Sequence, residues 1–101
     1  MTLSQRSQLR WKKLGYLVAN VEKYNAYTKT RHDLFGCIDL LAIGNKETIA
    51  IQTTSKNNMS SRIRKIEDAK ALTVMLQSGW RIVVEGWFKS KNRWEVKEFE
   101  F

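Results

Sequence analysis

Hydrophobic positions recur along this chain with two periods, one typical of helices and one typical of strands. The helical period covers residues 3–14 and ends at Gly15, and it returns over residues 62–77 before Ser78-Gly79. Apolar runs with strand composition occupy residues 16–24, 36–43, 47–54, 80–88 and 93–101, and residues 25–35 form a loop. We therefore predict an α/β fold in which a mixed central sheet of about five strands lies between two flanking helices, in the order α-β-β-β-α-β-β.

Two of the predicted strands each place a carboxylate or amide where a buried strand is expected to be apolar, Asp39 in residues 36–43 and Gln52 directly after Ile49-Ala50-Ile51 in residues 47–54. The short turn Gly44-Asn45-Lys46 separates these strands and predicts a hairpin. Because side chains alternate between the faces of a strand, Asp39 and Gln52 are expected to lie together at the sheet end away from Gly44.

Burying a carboxylate and an amide costs free energy unless each of them is bound. Two interpretations of Asp39 and Gln52 remain open. The two side chains could hold Mg²⁺ (or Mn²⁺) together with a phosphate, since hard cations prefer oxygen ligands. Alternatively, they could form a closed hydrogen-bonded polar pair.

Composition narrows the class of protein. With 101 residues, no proline and only five glycines, the chain is expected to form a single domain over residues 1–101. No apolar run reaches the length of a membrane span and the first residues lack the apolar core of a secretory signal, so we expect a cytoplasmic protein with no membrane partner. Cys37 and His32 are the only residues of their types, which excludes an internal disulfide and zinc sites built on several Cys or His.

The charge of the chain indicates the kind of partner. Eighteen Lys and Arg against ten Asp and Glu give a net charge of +8, which favours a polyanion such as DNA, although a solvated basic surface would have the same composition. Amides, hydroxyls and a helix N-terminus after Gln52 suit phosphate oxygens. The candidate DNA-contacting residues are Lys23, Lys29, Arg31, Ser55, Lys56, Asn58, Arg62 and Lys65.

The acidic residue late in one strand, the short turn and the polar triplet on the next strand form a motif. Together with the preceding and following helices, they make residues 1–88 resemble the PD-(D/E)XK nucleases, including archaeal Holliday-junction resolvases. Asp39 falls on the first acid, Gln52 on the second acid and Thr54 on the lysine. The chain is also similar to small phage and prophage proteins that carry the segments LFG-x-ID and QTTS.

The resemblance implies a restriction-endonuclease-like core and Mg²⁺ (or Mn²⁺)-dependent hydrolysis of phosphodiester bonds. The DNA could be branched, the protein could act as a homodimer, and the setting would be a bacterial or phage-infected host cell. Gln52 and Thr54 depart from the family pattern, because the first lacks a negative charge and the second lacks the amine that orients water or stabilises phosphate charge.

Several nearby residues are candidates to replace the missing groups. Glu22 is expected on the first strand and Asp33 in the loop, and either could supply a carboxylate. The alternative for Glu22 is an edge charge paired with Lys23, and the alternative for Asp33 is a turn or capping role. Lys56 would return to the face of Gln52 if the strand continued.

Three functional hypotheses follow: a metal-dependent endonuclease or junction resolvase of phage type, a catalytically impaired DNA-binding module derived from one, and a phage-encoded protein-interaction or inhibitor factor. We expect the tryptophans to fill the core, with an exposed cluster of Trp87, Phe88 and Trp94 as the alternative that would support a homodimer.

Overall fold

The computed structural model describes residues 1–101 as three α-helices and seven strands. The helices are α1 (Leu3–Lys13), α2 (Met59–Glu67) and α3 (Ala71–Gln77), and a 3-10 turn (Lys56–Asn58) precedes α2. The strands are β1 (Leu17–Asn20), β2 (Lys23–Asn25), β3 (Thr30–His32), β4 (Leu40–Gly44), β5 (Glu47–Ser55), β6 (Arg81–Ser90) and β7 (Arg93–Glu100). The α/β class with a five-stranded mixed sheet is as predicted.

The central sheet has the strand order β1-β4-β5-β6-β7, and β2 and β3 form a separate two-stranded sheet. All neighbours in the central sheet are antiparallel except β5 and β6, which run parallel. Helix α1 covers one face, where Trp11 packs in the cluster that includes Ile51. Helices α2 and α3 cover the other face, where Ile66 and Met75 pack in the cluster that includes Ala50. None of the helices has the length and apolarity that crossing a membrane would require.

The predicted helix over residues 62–77 is wrong, because the chain forms two helices with a break at residues 68–70. Ile66 and Met75 both face the core. They are nine positions apart in the sequence, which is about two and a half turns of a helix. In one continuous helix these two side chains would point to opposite sides. The break lets α2 and α3 each bury an apolar residue against the same face of the sheet.

The predicted strand over residues 16–24 is also wrong, since β1 ends at Asn20. The Asn20 side-chain oxygen accepts the Glu22 backbone N–H at 2.9 Å, and this local turn ends the strand. The chain then enters the β2–β3 hairpin, so the predicted loop over residues 25–35 contains a strand. Strand β4 begins at Leu40 rather than at residue 36, because Gly36 belongs to a turn. Gly36 has a positive φ of 75°, and its backbone N–H donates to the Asp33 carbonyl.

The hairpin between β4 and β5 forms as predicted, with its turn at Asn45 and Lys46. Both turn residues have positive φ, 53° and 62°, which is the backbone of the two-residue turns that match the twist of antiparallel strands. The register pairs Leu40 with Ile51, which places Asp39 beside Gln52 at the other end of the hairpin.

Candidate metal centre

Three carboxylates, those of Glu22, Asp33 and Asp39, converge beside the start of β4. One oxygen from each lies within 4.8 Å of the others. They come from three separate segments: the turn after β1, the residue after β3 and the residue before β4. Like charges so close together repel one another, whereas a divalent cation with oxygen ligands would be favourably bound among them.

The backbone of Asp39 is held by both neighbouring strand segments. Its N–H donates to the Ile51 carbonyl at 2.9 Å, and its carbonyl accepts the Val21 N–H at 2.9 Å. The second bond draws the segment after β1 towards Asp39, and the Asn20 turn then sets the position of Glu22. Asp39 is 6% exposed, so little solvent reaches it.

The predicted proximity of Gln52 and Asp39 is confirmed. Gln52 Nε2 donates to Asp39 Oδ2 at 2.6 Å, and the Thr53 backbone N–H donates to the same oxygen at 2.9 Å. The hydrogen bond of a closed polar pair is therefore present. The amide oxygen of Gln52, however, is buried without a partner. A cation, or a water bound to one, would satisfy that acceptor, so the residues present fit a divalent metal.

The negative charge of the three carboxylates is only partly balanced by cationic side chains of the protein. The pKa of Asp39 is raised to about 7: burial is the largest cause, the carboxylates of Asp33 and Glu22 add to the rise, and the Thr53 N–H opposes it. Lys65 Nζ lies 3.3 Å from Asp33 Oδ2, and Arg31 Nη1 lies 3.6 Å from Glu22 Oε1. Asp39 itself has no cationic partner within ion-pair distance.

An open cavity of about 440 Å³ contains the three carboxylates and has no hydrophobic residue in its lining. Arg31, Arg62 and Lys65 bring positive charge to the same space. A lining of this kind does not suit an apolar ligand, which needs hydrophobic walls. It suits a cation held by the acids together with an anion held by the bases.

The other predicted DNA-contacting residues do not line this cavity. Lys23 and Lys29 belong to the β2–β3 hairpin, one in β2 and the other in its turn. Ser55 ends β5, and Asn58 closes the 3-10 turn, where its carbonyl accepts the Ser61 hydroxyl at 2.9 Å.

Neither Thr54, which the resemblance aligns with a lysine, nor Lys56 supplies an amine to the cavity. Thr54 is 6% exposed and lies opposite Gly86 of β6, outside the cavity lining. Lys56 was expected to return to the face of Gln52 only if the strand continued, and this condition is not met because β5 ends at Ser55. Lys56 Nζ instead lies 4.5 Å from the ring centre of Phe88.

The sequence interpretation missed three features. His32, interpreted as a solvated loop residue, lines the cavity while remaining exposed. The contact between Lys65 and Asp33 joins residues 32 positions apart, so no local sequence pattern predicts it. Glu22 was expected on the first strand and lies in the turn beyond it. The expected core position is confirmed for Trp87, which is 8% exposed and whose indole N–H donates to Ser7 Oγ on α1, so the alternative cluster lacks this member although Trp94 is 40% exposed.

Comparisons of the chain with protein-family models, with curated proteins and with solved structures found no match. The fold defines the class as an α/β protein with a five-stranded mixed sheet and three helices. The geometry of the carboxylate cluster and its cavity is therefore the basis for any more specific function.

Proposed function

We propose that this protein is a metal-dependent DNA endonuclease, or junction resolvase of phage type, with a PD-(D/E)XK-like site. The observation that carries the proposal is the cluster of Glu22, Asp33 and Asp39 within 4.8 Å, next to the unpartnered amide oxygen of Gln52. Apart from the β2–β3 hairpin, the order of α1, the three antiparallel strands β1, β4 and β5, two helices and the parallel strand β6 fits the restriction-endonuclease-like core that the resemblance implies.

The acidic residues would hold Mg²⁺ (or Mn²⁺), which when bound supplies Lewis acidity and a more acidic water. Asp39 would be the central ligand, since Gln52 and the Thr53 N–H fix one of its oxygens at 2.6 Å and 2.9 Å and thereby orient the carboxylate. Gln52 takes the place of the second acid of the motif and contributes a neutral oxygen. The missing negative charge is supplied by Glu22 and Asp33, which come from outside the hairpin.

The basic residues of the cavity would bind the scissile phosphate. Lys65 lies on α2 and approaches Asp33 to 3.3 Å, so its amine is next to the carboxylates although Thr54 provides none. Arg62, one turn earlier on the same helix, also lines the cavity. These two cations would neutralise charge on the phosphate oxygens as water adds to phosphorus and the bond to the deoxyribose oxygen breaks, with one proton of the water ending on that leaving oxygen.

The experiment is a cleavage assay with Mg²⁺ or Mn²⁺ on linear duplex, single-stranded and branched DNA. We expect cleavage that requires the cation, that is lost in Asp39→Asn, and that persists in Glu95→Gln. The second variant removes one carboxylate from an exposed position on β7 and is the matched control. Equal cleavage by wild type and Asp39→Asn, or cleavage that continues in EDTA, would contradict the proposal.

One observation favours a second candidate, a DNA-binding module derived from a nuclease. Gln52 is neutral and already donates to Asp39, as expected of a site that has given up turnover. This candidate predicts salt-sensitive DNA binding without cleavage under any cation. The variant Gln52→Glu separates the two, because it restores the family acid and should raise cleavage only if the cation site is functional.

A further inference from the structure

A second polar cavity of about 410 Å³ adjoins the candidate metal centre, and the two cavities share Glu22 and Arg31 in their linings. One wall of the second cavity is the polar side of α1 near its N-terminus, with Gln5 and Gln8. The opposite wall is the β2–β3 hairpin, which contributes Tyr24 and Arg31. A polar groove therefore continues from the carboxylate cluster to the space between α1 and the hairpin.

The hairpin, called here the arm (residues 23–32), has the charge of a polyanion-binding element. It carries Lys23, Lys29 and Arg31 and no acidic residue, and every residue of its two strands is exposed. Its strands pair only with each other, in a sheet separate from the central one. Such a short exposed hairpin adds little to the core, so its sequence is free to serve binding.

Tyr24 is the aromatic side chain that the arm brings to the groove. It is 62% exposed although it lines the cavity, and it lies directly opposite Arg31 in the antiparallel register. Cross-strand partners share a face of the hairpin, so Tyr24 and Arg31 lie on the same side of the arm, and Arg31 also lines the metal-centre cavity. A second tyrosine of the arm, Tyr27, is fully exposed in the turn and lines neither cavity.

We propose that this groove binds a single strand of DNA beside the carboxylate cluster, with a base stacked on the ring of Tyr24. Arg31 binds a phosphate of the same strand, and the amides of Gln5 and Gln8 contact the strand from α1. Unpaired bases offer their faces to an aromatic ring, whereas the bases of an intact duplex are already stacked on each other. The inference rests on the proposed function and deepens it: the substrate is DNA that contains an unpaired segment.

The test is a binding titration by fluorescence anisotropy in EDTA, which prevents cleavage. The probes are a labelled single-stranded oligonucleotide of mixed sequence and a blunt duplex of the same sequence. We expect the single strand to bind more tightly than the duplex. Tyr24→Ala should weaken single-strand binding by about 5- to 100-fold, as loss of one stacked base does. Tyr24→Phe, which keeps the ring, should bind as wild type.

Tyr27→Ala is the matched control, because it removes the same side chain from the same arm outside the groove, and it should leave binding unchanged. Equal losses in Tyr24→Ala and Tyr27→Ala would overturn the proposal, as would wild-type affinity in Tyr24→Ala or a duplex that binds at least as tightly as the single strand. Loss of binding in Tyr24→Phe as well would also overturn it, since the ring would then not be the contact.

The outcomes separate this inference from the proposed function. If no cation supports cleavage but Tyr24→Ala still loses single-strand binding, the groove is correct and the nuclease assignment is wrong. If metal-dependent cleavage is lost in Asp39→Asn but unaffected on every DNA by Tyr24→Ala, the nuclease assignment is correct and the groove is wrong.

Discussion

Replacing Asp39 with Asn should stabilise the metal-free protein at neutral and higher pH. Burial and the neighbouring carboxylates of Asp33 and Glu22 raise the pKa of Asp39, so the ionised form is disfavoured in the folded protein. Asn cannot ionise. Its side-chain oxygen can still accept the donors from Gln52 and Thr53, and its amide can donate towards the other two carboxylates.

The magnitude follows from the difference between a pKa of about 7 in the folded protein and 3.8 for the ordinary side chain. At about 1.4 kcal/mol per pKa unit, full ionisation of Asp39 costs about 4 kcal/mol of stability. The folded state binds the Asp39 proton more tightly than the unfolded state. The contribution of protonated Asp39 to the free energy of unfolding is therefore fully present below about pH 4 and is lost as the pH rises to about 7. Between pH 5 and pH 8 the expected loss is about 3 kcal/mol.

The assay is urea denaturation of wild type and Asp39→Asn in EDTA at several pH values from 5 to 8. Burial also raises the pKa of Glu85, which gives a pH dependence of the same sign, so the informative quantity is the difference between the two proteins at each pH. That difference should grow as the pH rises. Adding Mg²⁺ should reduce it, because a bound cation stabilises the ionised Asp39. A difference that stays constant from pH 5 to pH 8 would refute the reasoning.

Three further predictions concern binding and packing. Mg²⁺ at about ten times its dissociation constant should raise the Tm by about 5–10 °C, measured by thermal melting, and Asp33→Asn but not Glu95→Gln should remove most of the rise. Gly86→Ala should lower the free energy of unfolding by about 1–3 kcal/mol in urea, because the added Cβ would overlap the Met59 side chain and lie 3.0 Å from the Lys56 Cα of the 3-10 turn. An unchanged midpoint would contradict this. Ser7→Ala should cost about 1–3 kcal/mol, because it leaves the buried Trp87 N–H unpaired, and full stability would show that water replaces the hydroxyl.

The part of the site that was predictable is the part controlled by local rules. A two-residue turn joins β4 and β5, so the register of the hairpin, and with it the meeting of Asp39 and Gln52, follows from the alternation of apolar residues. Glu22 and Asp33 could be named only as candidates, because their positions depend on the Asn20 turn and on the arm. Lys65 was not predictable as the partner of Asp33, because α2 begins before the predicted boundary and its packing on the sheet is a long-range event.

The sequence by itself determined the α/β class, the hairpin at the centre of the sheet and the meeting of Asp39 and Gln52 at its end, because all of these arise from periodicity and turn chemistry within short segments. The tertiary structure alone decided that one oxygen from each of three carboxylates lies within 4.8 Å of the others, that Lys65 lies next to them, and that Thr54 is buried outside the cavity. It also decided the break between α2 and α3, since both Ile66 and Met75 must reach one core. Such arrangements join residues that are distant in sequence, and only the packing of the helices and the arm around the sheet brings them together.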